Sequence, residues 1–96
     1  MAIQIHIEAI KGLRNMKNPS FLIIEIANGA IVDFAETREE VLRKCMIADS
    51  QGCKCKFYET SVNTIEQIKN ATKNVDVNHA KKGVLIEGFD AGIFPP

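Results

Sequence analysis

The chain has 96 residues, 46% of them hydrophobic and 25% charged, and its twelve lysines and arginines balance twelve aspartates and glutamates. That length suits one domain, residues 1–96, and is too short for two, while the hydrophobic content argues against disorder. Zero net charge argues against a general nucleic-acid binder, an anionic-membrane binder and an acidic nucleic-acid mimic, and it removes one barrier to self-association.

Residues 2–8 alternate strictly, with Ile3, Ile5 and Ile7 on one side and Gln4, His6 and Glu8 on the other, which predicts a half-buried strand. This start lacks the basic residues and unbroken apolar run of a signal peptide. The longest aliphatic stretch, Phe21 to Ile24, is too short to span a bilayer. The expectation is therefore a cytoplasmic protein without a membrane partner, and the sequon Asn70-Ala71-Thr72 reads as chance. Residues 11–20 carry glycine, proline and two asparagines and read as a loop with at most one helical turn.

Residues 21–35 predict a β-hairpin around Asn28-Gly29. A two-residue loop would mix polar and apolar residues on both faces. A three-residue loop, Ala27-Asn28-Gly29, pairs Ile26 with Ala30, Ile24 with Val32 and Leu22 with Phe34, making one face wholly apolar. The pleat favours that register, with Gly29 in the left-handed position. Thr37-Arg38-Glu39-Glu40 is a capping box. It opens a helix with a stripe of Val41, Leu42, Cys45 and Ala48, Met46 beside them, closed by Gln51-Gly52. Residues 53–59 alternate, with Cys53, Cys55 and Phe57 inward and Lys54, Lys56 and Tyr58 outward. Ser61 or Asn63 caps a second helix carrying Val62, Ile65, Ile68, Ala71 and Val75. A polar loop over 75–83 leads to a short strand, Val84 to Ile86, and an apolar irregular segment, Phe89 to Pro96.

This order, β-β-β-α-β-α-β, predicts an α+β fold: a mostly antiparallel sheet of about five strands with two helices on one face. Two helices cover one sheet face. The second hairpin face, with Phe21, Ile23, Ile31 and Ala35, then needs another cover: a second copy, a partner, or the segment with Phe89, Ile93 and Phe94.

The three cysteines, Cys45, Cys53 and Cys55, read as reduced thiols in the core. Cys53 and Cys55, two apart on a strand, would sit about 6.5–7 Å from each other, too far for tetrahedral zinc. They lack the Cys-x-x-Cys spacing of a thioredoxin-like centre. His6 and His79 have no nucleophile and orienting carboxylate in a local pattern. The six glycines are spaced as punctuation and build no phosphate loop. No catalytic residue, metal ligand or cofactor is therefore expected.

By elimination, the function expected first is a non-enzymatic protein-binding domain, a small inhibitor or adaptor of a larger macromolecule. Counter-defence proteins of phages and mobile elements belong to this physical type. Phe21, Ile23, Ile31, Phe89, Ile93 and Phe94 would form the contact, with a homodimer expected. The alternatives are a nucleic-acid face of Lys54, Lys56 and Tyr58, and a small-ligand or metal protein using Cys45, Cys53 and Cys55.

Overall fold

A computed structural model describes residues 2–79 and 82–88. Its elements are β1 (Ile3–His6), α1 (Ile7–Asn15), β2 (Phe21–Glu25), β3 (Ile31–Ala35), α2 (Arg38–Ser50), β4 (Cys55–Glu59), α3 (Val62–Thr72) and β5 (Gly83–Ile86). The strands form one sheet in the order β4-β2-β3-β1-β5. Only β1 and β3 run parallel; the other three neighbouring pairs are antiparallel. The fold is therefore α+β with a mostly antiparallel five-stranded sheet. If α2 and β4 are set aside, the remaining chain runs β-α-β-β-α-β, with its first and third strands adjacent and parallel.

There are three helices among the described residues, one more than the sequence pattern predicts. The additional one, α1, begins where the first strand was expected to continue. Ile7, Ile10 and Leu13 are spaced at helical intervals and are buried with Ala9, so one stripe seals the sheet while the strand's alternation ends at His6. The backbone N–H of Ile7 donates to the Lys82 carbonyl at 2.7 Å, fixing the point where strand becomes helix. Arg14, in the last turn, donates to the carbonyls of Thr72 and Val75, both at 2.9 Å. It thereby ties α1 to the end of α3 and the turn after it, where the Thr72 carbonyl also accepts from Val75 N–H at 3.1 Å.

The helices also divide between the two faces. One core joins Ile3 and Ile5 of β1, the α1 stripe, Leu22, Ile24, Ile31 and Phe34 of the hairpin, and Ile65 and Ile68 of α3. On the opposite face Phe21, Ile23, Ala35 and Val41 form a smaller core, with Val32, Cys45, Cys55 and Phe57 packed against it. So α1 and α3 share one face and α2 lies on the other. The hairpin face thought to be bare is covered by a helix of the chain's own.

The hairpin register is as expected at its open end, where Leu22 pairs with Phe34, but slips by one residue between Ile23 and Ile24. The loop is one residue longer than the alternation suggested: Glu25 N–H donates to the Ala30 carbonyl at 2.9 Å, enclosing Ile26 to Gly29. Gly29 takes the left-handed conformation, φ 70°, and the Asn28 side chain accepts from Ala30 N–H at 3.0 Å. Ile24 consequently pairs with Ile31 instead of Val32. A one-residue slip exchanges the faces of the residues it moves. Ile31 thus joins the α1–α3 core while Val32 turns towards α2.

Both expected caps form: Thr37 Oγ1 accepts from Glu40 N–H at 3.1 Å and Ser61 Oγ from Thr64 N–H at 3.2 Å. At the far edge of the sheet, β5 packs closely on β1. A Cβ at Gly83 would lie 2.7 Å from the backbone oxygen of Ile5, a backbone atom that cannot rotate away. Gly83→Ala is expected to cost about 1–3 kcal/mol through forced separation of the two strands. Urea denaturation measures this, and an unchanged midpoint would contradict it.

Candidate functional site

The candidate site lies where α2 stops covering the sheet. Lys44 ties the helix to β3: its ammonium donates to the Phe34 carbonyl at 2.7 Å and faces the Asp33 and Glu40 carboxylates at 3.3 and 3.2 Å. The helix packs over β4, β2 and β3. Val41 is its one buried side chain. Leu42, Met46 and Ile47 are 42%, 72% and 50% exposed, a large apolar exposure for one short helix.

The β1–β5 half of the same face has no helix above it among the described residues. Ile3 and Ile5 point into the α1–α3 core, and Gln4 is paired with Leu85. Strand alternation therefore aims Gln4, His6 and Leu85 at the α2 side, and Leu85 is 63% exposed. A groove of about 340 Å³ runs along the C-terminal part of α2, lined by Ile47 of the helix, by Ile23 and Val32 of β2 and β3, by Cys53 and Cys55 at the start of β4, and by His6 from the β1–β5 half.

The groove's chemistry comes from sulfur. β4 begins at Cys55, so Cys53 lies before the strand, and the spacing expected from a shared strand face does not apply. The two Sγ atoms are 3.8 Å apart. Cys53 Sγ donates to Glu25 Oε2 at 3.0 Å, and Cys55 Sγ to the Cys53 carbonyl at 3.6 Å. The Glu25 carboxylate, which takes that hydrogen bond and repels a thiolate, is the main reason the Cys53 thiol is pushed up to about 12; burial and Cys55 add to it. Burial, followed by the nearness of Cys55 and Asp33, also pushes the Cys45 thiol up. Both shifts favour the protonated thiol, the form that reacts slowly. Glu25→Gln removes the dominant cause, so the pH profile for alkylation of Cys53 by iodoacetamide is expected to shift to lower pH. An unchanged inflection would show that the carboxylate does not control the thiol.

The hairpin residues proposed for partner contact, Phe21, Ile23 and Ile31, are all buried. The first two lie under α2, and the bulge turns the third into the opposite core. They cannot present a docking face without unfolding. Phe89, Ile93 and Phe94 lie outside the described residues. Lys54 and Lys56 are exposed, while Tyr58 is half-buried against the α1–α3 core with Lys56 Nζ 6.0 Å from its ring centre. That ring is already packed, which disfavours base stacking.

His6 is half-buried on the groove wall, whereas His79 is exposed beside Asp76. Among the described residues, no three His, Cys, Asp or Glu side chains form a group able to hold a metal ion, and no helix is long and apolar enough to cross a membrane. The candidate surface that the sequence pattern missed is formed by α2 and Leu85. Its only sequence signal was the excess of apolar residues in the α2 stripe over what one helix face can bury. Compared with known proteins, the chain matches no family model, no curated protein and no solved structure.

Proposed function

We propose that this chain is a non-enzymatic protein-binding domain of the small inhibitor or adaptor type, and that it engages proteins through the stepped face formed by α2 and the neighbouring β1–β5 strip. One observation carries the reading: α2 leaves Met46 72% and Ile47 50% exposed and Leu42 partly so, and Leu85 is 63% exposed on a strip that no described helix covers. Several exposed apolar side chains on one side of a small domain mark contact surfaces more often than single exposed ones do.

The shape also favours a second copy as partner. A ridge beside an open half-face is self-complementary under a two-fold axis parallel to the strands. Each α2 would lie in the other protomer's groove, the same patch serving both sides. The earlier reason for expecting a dimer, a bare hairpin face, no longer applies, and this stepped face replaces it. Sedimentation equilibrium at micromolar concentration tests the proposal: a reversible dimer is the expected result. A strict monomer would remove the self-association, and with it the main support for this surface.

A further inference from the structure

We infer that Cys53 and Cys55 form an oxidisable pair, which closes to an intramolecular disulfide in the presence of a low-molecular-weight disulfide such as oxidised glutathione and reopens on reduction. The geometry carries the inference. The sulfurs are already in van der Waals contact at 3.8 Å. Cys53 lies ahead of β4 rather than within it, held through its N–H on the Ala48 carbonyl, so its side chain can turn towards Cys55 without breaking a pairing of β4 with β2. Both sulfurs border the groove, and Cys53 also borders a second depression beside Ile26, Ala27 and Gly52. Oxidant therefore has access from two sides. Cys45, on the inner side of α2, borders neither.

The order of attack follows from the hydrogen bonds. Glu25 holds the proton of Cys53, whereas Cys55 donates only a long bond to a backbone carbonyl. Cys55 reacts first: having lost its proton to solvent, its sulfur attacks one sulfur of the small disulfide, forming a mixed disulfide and expelling one thiolate. Cys53 Sγ then attacks Cys55 Sγ, its proton passing to Glu25. The Cys53–Cys55 bond forms, the mixed disulfide breaks and the second small thiolate leaves. Both departing thiolates are reprotonated, one by solvent and one by the proton from Glu25. The balance is two protein thiols and one small disulfide giving one protein disulfide and two small thiols, a two-electron exchange. Closure also abolishes the Cys53–Glu25 hydrogen bond, leaving a carboxylate on the groove wall without its thiol donor.

The test equilibrates the whole chain in oxidised and reduced glutathione at a series of ratios, followed by acid quenching, alkylation, intact mass measurement and bond mapping. The expected product is lighter by two hydrogens, has its bond between Cys53 and Cys55, and still carries an alkylated Cys45; Cys45→Ala gives the same bond. Cys53→Ser stops at a single glutathione adduct on Cys55. Three free thiols at every ratio, a bond that includes Cys45, or adducts that persist without closure in the unmodified chain would each overturn the inference.

Discussion

Replacing Phe34 by alanine is expected to cost about 3–5 kcal/mol of folding stability, the loss associated with emptying an aromatic site in a packed core. Phe34 is fully buried, 0% exposed, on the central strand β3. It packs in the core that joins β1, α1 and α3 to the hairpin. The cavity would open at the meeting point of elements distant in sequence, where the backbone cannot collapse locally. Since small domains are stable by about 5–15 kcal/mol in total, the variant should be close to unfolding at room temperature. Urea denaturation followed by circular dichroism measures the difference. A loss below about 1 kcal/mol would mean that this core does not hold the two halves together.

The second large effect concerns the stepped face. Met46→Glu combined with Leu85→Glu places one carboxylate on the α2 ridge and another on the open strip. Both residues are largely exposed, so folding should change by less than about 0.5 kcal/mol. In a dimer that seats each α2 in its partner's groove, both charges would be buried without counter-ions. Dissociation is expected to become easier by a factor of at least ten, about 1.4 kcal/mol. Val62→Glu on α3 is the control: Val62 is equally exposed but lies outside the stepped face, and the substitution should leave association unaltered. Equal weakening by both variants would point to nonspecific charge repulsion.

Local signals in the sequence were sufficient for local structure. The Thr37 and Ser61 caps, the helix end at Gln51-Gly52 and the hairpin around Asn28-Gly29 each depend on residues a few positions apart, and each forms at or within a residue or two of its expected place. α1 was hidden because Ile7 completes the Ile3-Ile5-Ile7 alternation and also begins the Ile7-Ile10-Leu13 helical stripe. Gly12 and the asparagines beyond it tipped the reading towards a loop. The bulge was hidden because a loop of three or four residues can satisfy the same Gly29, and the choice is made by the two cores on either side.

The face chosen by α2 was not legible either. Its stripe is apolar on more than one side, and its ties to the sheet, through Lys44 to β3, Val41 to the smaller core and Arg38 over Phe57, select between faces. That choice determines the candidate surface. Once α2 covers Phe21 and Ile23, the remaining apolar exposure moves to Leu42, Met46, Ile47 and Leu85. The cysteine geometry was missed for a related reason: the strand begins at Cys55 instead of Cys53, so a distance inferred from strand pleating did not apply.

Site-specific photocrosslinking tests the central claim most directly. A photoreactive residue is placed in turn at Met46, Leu85 and Val62 of the full chain, and the products are resolved by mass. Crosslinked dimers at positions 46 and 85, with none at 62, are the expected result. Crosslinks at 62 alone, or at none of the three positions, would show that the half-covered face is not where this protein makes contact.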